Sequence, residues 1–380
     1  MNNSARSVTF VIPCLNEEGS LPTVLQKINT VCREQLANRE TEIVVSDNGS
    51  TDKSTDIARS HGARVVDCPT RGYGAALKCG IEAAKHEVVV FADADDTYNF
   101  LETPALLEKI EEGYDLVIGS RLGGDIRPGA MSFLHRRVGT PALNWLINLL
   151  YSRRGNRIND CNSGFRAFDR SRFLSWGVGS DGMEFASEML VKALRNGVSM
   201  AHVPITLHTD APGRKPKLKT WRDGTRHLLQ ILLESPELFH TVGLLVWVLS
   251  WGVLVTGWLS GPVTVGSASL LGFHSMLFAY FGTIIGAIIW GIGLLLAAKM
   301  DSGPLDYRYL ATLEEDKLFW YSIALAVVCM IPFVMIIFSW AGESFRFLSL
   351  EREALMLTAA GSNGIVLLFQ IFAAHLIKRA

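Results

Sequence analysis

Four long stretches without any Asp, Glu, Lys or Arg set the strongest constraint on this chain. Each has at least 22 residues, enough for a helix to cross a hydrocarbon core of about 30 Å. Only 16 of the 73 charged residues lie from Pro236 to Ala380. The pattern predicts membrane-spanning helices and excludes a single soluble globule, a disordered chain or a secreted disulfide scaffold. The four stretches are about 238–259, 270–298, 318–340 and 354–377.

The loops between these stretches predict the orientation of the chain. Ser260–Ser269 has no Lys or Arg, whereas Lys299–Lys317 has three and the C-terminus carries Lys378 and Arg379. Gly342–Glu353 carries two arginines, so the bias is small. Because positive loops stay inside, we expect both termini to be cytoplasmic. The first apolar run is too short for a signal peptide, so the first half is also expected in the cytosol, attached to an inner or plasma membrane.

Charge and cysteine content narrow the partners and the compartment. The formal net charge is -1, which gives no overall positive field for nucleic acid. The six cysteines form no C-x-x-C pair, so we expect six thiols in a reducing compartment. The predicted spans contain no ionisable Asp, Glu, Lys or Arg, which favours an anchor or lipid platform over a transporter.

The first half alternates short β-branched runs with helical patterns. The runs at 8–12, 42–46, 64–67, 87–92 and 115–119 predict strands, and helices are expected at Leu21–Leu36, Ser54–Ser60, Ala75–Ala84 and Leu101–Glu111. This order predicts an α/β domain with a mostly parallel, Rossmann-like sheet. Ligands of such sheets bind outside the carboxyl ends of the strands.

Polar clusters follow four of the predicted strands. They are Pro13-Cys14-Leu15-Asn16-Glu17-Glu18, Asp47-Asn48-Gly49-Ser50-Thr51-Asp52, Asp93-Ala94-Asp95-Asp96 and Gly119-Ser120-Arg121. Any one of them alone is compatible with a surface turn or a helix N-cap. Four on one rim of a sheet indicate a binding site.

The Asp93-Ala94-Asp95 loop has the chemistry of a divalent-metal site. Two carboxylates on one loop bind a hard cation and leave positions for water and phosphate oxygens. A cation-bridged diphosphate is a better leaving group because its developing charge is neutralised. Gly72, in Arg71-Gly72-Tyr73-Gly74 before a helix, would allow phosphate or sugar to approach closely, although the stretch is not a full G-x-G-x-x-G.

Together these motifs resemble glycosyltransferase family 2 with a GT-A fold, and more narrowly the polyprenyl-phosphate (dolichyl-phosphate) sugar synthases. The resemblance covers about the first 210 residues, in the order and spacing of the family. The motifs that carry it are VIPCLNEEGSLP (11–22), SDNGSTDKS (46–54), RGYGAALKCGI (71–81), FADADDTY (91–98), GSR (119–121) and NDCNSGFRAF (159–168).

The resemblance implies a membrane-bound inverting transferase of the cell envelope that moves a hexose from UDP- or GDP-hexose to a polyprenyl phosphate. Its cofactor would be Mg²⁺ or Mn²⁺ and a homo-oligomer is an expectation by analogy. Pro13, Asn16, Glu17 and Asp47 would contact the base and ribose. The remaining implied roles are the metal for Asp93 and Asp95, substrate contact for Ser120 and Ser163, the acceptor phosphate for Arg121, and the reacting centre for Asp160.

Two positions depart from the pattern of the family. Ser46-Asp47 stands where relatives often have two acids, which blurs selectivity for the nucleobase. Thr97 stands where many relatives have Gln, so Asp96 or water would have to supply any third metal ligand.

Three further groups are candidates on weaker signals. Arg136 and Arg137 would meet the acceptor phosphate at the start of a surface helix that faces the membrane, or else are solvated charges on a packed helix. Glu184 would reach the sugar hydroxyls, or else is an exposed helix charge. The stretch Arg214–His227 has six Lys or Arg and predicts a basic amphipathic helix at the anionic leaflet. Retention of positive charge inside is the simpler alternative.

The expected organisation is a GT-A domain over 1–210, a basic juxtamembrane region over 211–235 and a transmembrane domain over 236–380. Two rival functions remain open. A processive polysaccharide synthase usually carries Q-x-x-R-W, which is absent from this sequence. A non-catalytic membrane subunit that binds lipid or nucleotide sugar would not need Asp93, Asp95, Arg121 and Asp160 together.

Overall fold

The computed structural model describes residues 6–152, 156–210, 220–265, 268–300, 315–342 and 351–379. The chain forms two compact units, Met1–Ile231 and Leu232–Ala380. The expected boundaries of three regions, including 211–235, stay predictions. Residues 211–219, which carry four of the six Lys and Arg of the stretch Arg214–His227, lie outside the described residues, as do most of the loops around Arg308 and Arg346.

The first unit is built on one seven-stranded sheet with the order β3-β2-β1-β4-β6-β5-β7. Only β6 runs against its neighbours; the remaining pairings are parallel. The mostly parallel sheet predicted from the sequence is therefore confirmed. The strands are β1 (Val8–Cys14), β2 (Thr41–Asp47), β3 (Arg64–Asp67), β4 (Val88–Phe91), β5 (Leu116–Ile126), β6 (Arg166–Asp169) and β7 (Met200–Leu207).

Helices cover both faces of this sheet, and two buried apolar clusters separate them from it. In α1, the buried residues Leu21, Val24, Leu25, Ile28 and Val31 recur at helical spacing and pack on the sheet. The helices are α1 (Leu21–Glu34), α2 (Ser54–Ser60), α3 (Tyr73–Ala83), α4 (Thr103–Glu111), α5 (Thr140–Tyr151), α6 (Arg170–Ser175), α7 (Phe185–Arg195) and α8 (Thr220–Leu233). A π-helical turn, His135–Gly139, precedes α5.

The reversal of β6 determines where the site forms. The parallel strands β1, β2 and β4 end at one rim, whereas β6 begins there. The segment before β6, which contains Asp160 and Ser163, therefore meets the loops that follow β1, β2 and β4.

One prediction about the cysteines is wrong. Cys68, just after β3, and Cys79, on α3, form a disulfide. Their eleven-residue separation gave no signal in the sequence, because the two meet only when α3 folds back beside β3. Cys14, Cys32 and Cys161 are thiols.

In its described residues, the second unit contains four long helices, α9 (Pro236–Ser260), α10 (Phe273–Met300), α11 (Glu315–Gly342) and α12 (Glu351–Arg379), and a short hairpin of β8 (Val263–Val265) and β9 (Ala268–Leu270). Among the described residues, α9, α10 and α12 are long and apolar enough to cross a membrane. The helix α11 covers the remaining predicted stretch, 318–340.

Small residues bring α9 and α10 together. A Cβ added at Gly286 would collide with the backbone and side chain of Trp247, and one at Gly243 would meet the backbone of Trp290. The Gly282–Gly286 step thus serves close helix packing inside the unit. Asn363 on α12 is buried and links the helices: it accepts a hydrogen bond from Trp247 Nε1 and donates one to Thr283 Oγ1, both at 2.8 Å.

Candidate active site

The loops after β1 and β2 are bonded to one another. Asn16 has a left-handed backbone, with φ 52°, which Asn tolerates better than most residues. Its N–H donates to Ser50 Oγ at 3.0 Å, and its Oδ1 accepts from the N–H of Thr51 at 2.7 Å. The N–H of Glu17 donates to Ser54 Oγ at 2.8 Å. Three predicted donor-site residues, Pro13, Asn16 and Glu17, therefore lie beside the Asp47 loop.

Asp47 is buried, and its carboxylate shapes the turn after β2. The carboxylate accepts hydrogen bonds from the N–H groups of Gly49 and Ser50 at 3.1–3.2 Å. The neighbouring Asn48 donates to the carbonyl of Thr70 at 2.6 Å and accepts from the N–H of Gly72 at 2.8 Å. Asp47 and Asn48 thus join the β2 loop to the segment that precedes α3.

Gly72 is required by protein packing. Its φ of 141° is one that L side chains rarely adopt, and an added Cβ would collide with the carbonyl oxygen of Asp181. That carbonyl also accepts the N–H of Ala75 at 3.1 Å. The loop that carries Asp181 is held by Glu188, whose oxygens accept the N–H groups of residues 179 and 180 at 3.0 and 2.7 Å. Substrate contact at Gly72 stays a prediction.

The predicted metal loop, Asp93-Ala94-Asp95-Asp96, follows β4 and carries three acids with different surroundings. Asp95 Oδ1 accepts hydrogen bonds from the N–H and hydroxyl of Thr97, at 3.1 and 2.6 Å. Asp96, with a left-handed φ of 62°, pairs with Lys27 Nζ at 2.7 Å. Lys27 therefore holds Asp96, and Thr97 supports Asp95.

Asp93 lies at the centre of the site. Its Oδ2 would be 2.8 Å from a Cβ built on Gly164, so only glycine fits there. The hydroxyl of Tyr73 forms a hydrogen bond with Asp93. Burial is the first cause that raises the pKa of Tyr73, and the charge of Asp93 adds to it. The phenol therefore stays protonated and can donate to the carboxylate.

The donor set of this loop suits a hard cation that also binds phosphate. Within the described residues, no group of three His, Cys, Asp or Glu side chains is arranged to hold a metal. Mg²⁺ in nucleotide sites is commonly held by one or two carboxylates, with phosphate and water oxygens completing the shell. Asp93 and Asp95 fit this pattern, and the pairing of Asp96 with Lys27 leaves a third position to water or phosphate rather than to Asp96.

Arg121 and Asp160 form a buried bidentate ion pair. Arg121 Nε and Nη2 donate to the two carboxylate oxygens of Asp160 at 2.9 and 2.7 Å, and the N–H of Arg121 donates at 2.9 Å. Asp160 is fully buried, and 11% of the Arg121 side chain is exposed. Burial by itself lowers the pKa of Arg121, but Tyr98 and Asp160 outweigh it and the pKa is raised. The arginine thus keeps its charge at the rim of the sheet.

Tyr98 connects this ion pair to the metal loop. Its hydroxyl oxygen accepts the N–H of Gly164 at 2.8 Å. Burial raises the pKa of Tyr98 to about 12, with Arg121 acting to lower it and Asp93 acting to raise it. The phenol therefore lies within electrostatic reach of both halves of the site.

Two predicted serines are buried and organise the backbone. Ser163 Oγ donates to the carbonyl of Gly119, which ties the segment before β6 to β5. Ser120 Oγ accepts the N–H of Gly123 at 3.1 Å. Their predicted contacts with substrate stay predictions.

Three predicted residues remain: Arg136, Arg137 and Glu184. Arg136 and Arg137 are exposed on the π-helical turn before α5. Among the described residues, neither arginine forms a hydrogen bond or an ion pair with the acids at the rim. Glu184 lies at the N-terminus of α7, and its charge acts on His227 of α8, whose pKa burial lowers. The predicted roles of these residues remain untested by the geometry.

Tyr73, Tyr98, Gly164 and Arg166 are site residues to which the sequence analysis gave no role. All four stand inside the quoted motifs RGYG, FADADDTY and NDCNSGFRAF. Their positions were visible, but their pairings were not: Tyr98 and Gly164 are 66 residues apart, and the partners of Arg166 include backbone carbonyls, which carry no sequence signal.

This chain is similar in sequence to a known protein family and to several named proteins. The family model Glycosyl transferase family 2 matches residues 9–174. A low-salt glycan biosynthesis hexosyltransferase of Haloferax volcanii, Agl6, is 30% identical over 382 residues, covering 97% of this chain and 88% of that protein. A dolichyl-phosphate hexose transferase of the same organism is 32% identical, covering 52% of this chain and 81% of that protein.

A solved structure shares the fold of the first unit. It is glucosyl-3-phosphoglycerate synthase from Mycobacterium tuberculosis in complex with Mn²⁺, uridine diphosphate and glucosyl-3-phosphoglycerate. Its TM-score is 0.50 at 25% identity, and the match covers 60% of this chain and 80% of that one. The likeness confirms the GT-A-like class predicted from the sequence.

Proposed function

This chain belongs to glycosyltransferase family 2, and on that basis we propose that it is a membrane-bound inverting enzyme that transfers a hexose from UDP- or GDP-hexose to the phosphate of a polyprenyl phosphate. The observation that carries the proposal is the joining of Arg121–Asp160 to the Asp93 loop through Gly164 and Tyr98. The donor diphosphate and the acceptor phosphate are both anions. In this arrangement a cation held by the Asp93 loop would bind the diphosphate, and Arg121 would bind the acceptor phosphate.

The names of the relatives support the acceptor. One relative is named a dolichyl-phosphate hexose transferase, and another, alike over nearly the whole chain, a hexosyltransferase. The structure related to the first unit holds Mn²⁺ and uridine diphosphate, which supports a nucleotide-sugar donor and a divalent cation.

The outer surface of the first unit supports a lipid substrate. The π-helical turn and α5 expose four large apolar side chains: Leu134 42%, Val138 52%, Trp145 65% and Leu149 62%. The opposite face of α5 packs on the core through Ile147 and Tyr151, so the exposed apolar face supports contact with lipid. On α8 the usual arrangement is inverted. Asp223 and His227 are buried, whereas Trp221 is 80% exposed. A helix that buries acid and imidazole and exposes indole suits an interface with lipid.

The reaction follows from the charges at the rim. The lipid phosphate has a second pKa of about 6, so it attacks C1 of the sugar as an anion without needing a strong base. Its oxygen forms the new bond to C1 while the bond from C1 to the diphosphate oxygen breaks, which inverts the anomeric centre. Asp93 and Asp95 would hold Mg²⁺ or Mn²⁺, which when bound neutralises the charge of the departing diphosphate.

In this proposal Arg121 and Asp160 have separate roles. Arg121 is permanently charged and draws the acceptor phosphate toward the donor. Both oxygens of Asp160 accept N–H groups of Arg121, so Asp160 orients the guanidinium rather than removing a proton. The catalytic unit and both termini would face the cytoplasm, consistent with the positive charge of the loops.

The test uses the purified full-length protein with Mn²⁺ or Mg²⁺, a panel of UDP- and GDP-hexoses, and a short polyprenyl phosphate. We expect one lipid-phosphate-sugar with inverted anomeric configuration, one nucleoside diphosphate per transfer, and no product with the polyprenol that lacks phosphate. Transfer to the alcohol, or a retained configuration, would contradict the proposal.

A pair of variants tests the metal loop. Asp95→Asn should abolish turnover and the Mn²⁺-dependent part of uridine diphosphate binding. Asp96→Asn is the matched control, because it makes the same change one residue away on a carboxylate held by Lys27, and Asn tolerates the left-handed backbone there. Equal effects of the two substitutions would remove the metal role of Asp95.

A further inference from the structure

Arg166 is the largest fully buried side chain in the described protein. It opens β6, where it pairs with Phe91 on β4 and Ile118 on β5. These partners stand two residues before Asp93 and three before Arg121. Arg166 therefore begins its strand at the same rim of the sheet as the candidate site.

Neutral groups satisfy this buried cation. Arg166 Nε donates to the carbonyl of Ser163 at 3.1 Å, Nη2 donates to the carbonyl of Cys161 at 2.9 Å, and Nη1 contacts Met189 Sδ at 3.3 Å. Among the residues that the structure describes, no acid forms an ion pair with Arg166. Burying a charge without a paired acid is costly, so an apolar residue would serve a purely packing role better.

The segment that Arg166 holds makes contacts in both halves of the site. Asp160, just before Cys161, receives Arg121, and Ser163 is tied to β5. Gly164 lies against the carboxylate of Asp93 and donates to Tyr98. One guanidinium therefore holds the two carbonyls that set the path of residues 160–164.

We propose that Arg166 is a positioning residue: its fork to the carbonyls of Cys161 and Ser163 sets the distance between the Arg121–Asp160 pair and the Asp93 loop. This inference rests on the proposed transfer reaction. Arg166 touches neither substrate nor cation; it acts through the segment that it holds. Small displacements of reacting groups are costly in rate, so loosening the segment slows transfer more than it weakens binding.

The chain provides a matched control in Arg170, four residues further along. Arg170 also donates to two backbone carbonyls, from Nε to Ile81 at 2.9 Å and from Nη2 to Glu82 at 2.6 Å. It lies at the other end of the sheet, where its N–H bonds the carbonyl of Glu87 just before β4. The two arginines share a chemistry and differ in their distance from the site.

The experiment compares Arg166→Lys with Arg170→Lys, because lysine keeps the charge and loses the planar fork. Titration with uridine diphosphate and Mn²⁺ counts intact donor sites, and turnover is expressed per site. We expect Arg166→Lys to keep its sites and to lose roughly tenfold or more in turnover per site, and Arg170→Lys to stay close to wild type. The proposal would be overturned if both variants lost the same turnover per site. It would also be overturned if the lower turnover of Arg166→Lys were fully accounted for by a smaller number of intact donor sites.

A second variant decides the matter if Arg166→Lys does not fold. Tyr98→Phe removes the oxygen that accepts the N–H of Gly164 and leaves the buried charge in place. Turnover per site should fall several-fold, and an unchanged value would refute the positioning of this segment. If wild type does not use polyprenyl phosphate, the proposed function fails by itself, and the same comparison of variants is made on hydrolysis of the nucleotide sugar.

Discussion

Replacing Arg121 with alanine should strongly destabilise the first unit, in addition to its effect on acceptor use. Asp160 is fully buried, and Arg121 supplies three of its hydrogen bonds, one from the backbone and two from the guanidinium. The substitution leaves a buried carboxylate with only the backbone donor of residue 121. Removing one partner of a buried ion pair typically costs about 3–5 kcal/mol, because the remaining charge is stranded.

The size of the shift follows from the size of the unit. For a domain of about this length, 1 kcal/mol moves the unfolding midpoint by roughly 2–4 °C. We therefore expect Arg121→Ala to lower the midpoint by roughly 6–20 °C. A thiol-reactive fluorescent dye measures it in full-length protein, since Cys14 and Cys161 are buried thiols of this unit. Cys32, which is only partly buried, and Cys329 of the second unit are replaced by alanine in every sample, so that the dye reports on unfolding of the first unit.

Arg127→Ala is the matched control for this prediction. Arg127 follows the same strand and pairs with Asp125 at 3.4 Å, but both side chains are more than half exposed. Exposed pairs contribute about 0–1 kcal/mol, so the midpoint should move little. If Arg121→Ala lowers the unfolding midpoint no further than Arg127→Ala does, the buried Arg121–Asp160 pair does not stabilise the first unit and the prediction is wrong.

Three further changes test separate parts of the molecule. Gly72→Ala should severely disrupt donor binding and stability, because the added Cβ would collide with Asp181. The control Gly62→Ala, at φ 80° in open space, should lower the free energy of unfolding by only about 1–2 kcal/mol. Titration with uridine diphosphate and thermal melting of both variants check this. Asn363→Leu should cost the helical unit on the order of 1 kcal/mol, and an unchanged resistance to unfolding in detergent would refute a role for its two side-chain partners. Burial lowers the pKa of His227, so the unfolded chain binds a proton at higher pH than the folded chain does. The stability present above about pH 6.5 should therefore decline as the pH falls below that value. In melts from about pH 8 to pH 5, His227→Asn should flatten this decline, and an identical decline would exclude His227 as its cause.

The first half of the sheet was predictable because its strands are apolar and β-branched. The runs at 8–12, 42–46 and 64–67 became β1, β2 and β3 with shifts of two residues or fewer at their ends. The strand β6 was missed because it is four residues long and opens with a charged Arg. Only its position between β4 and β5 makes Arg166-Ala-Phe-Asp a strand, and a local pattern carries no information about that position.

The site was predictable residue by residue but not in its pairings. The sequence marked Arg121 and Asp160 separately, for the acceptor and the reacting centre. They are 39 residues apart and meet because β6 reverses beside β5. For Gly72, the sequence suggested close approach of a phosphate or sugar, but it did not show that an added Cβ would meet Asp181, which comes from a loop about a hundred residues away.

Because β6 is reversed, the chain reaches Asp160 by a different path from the one that leads to Asp47 and Asp93. The chain leaves the sheet toward Asp47 and Asp93 but arrives from outside at Asp160, after a long connection that begins beyond β5. Insertions in that connection would lengthen the path to Asp160 without pulling on the strands that carry the other two acids. Under the proposed function, relatives could vary the acceptor through changes in this one surface connection while the loops proposed to bind the donor stay unchanged.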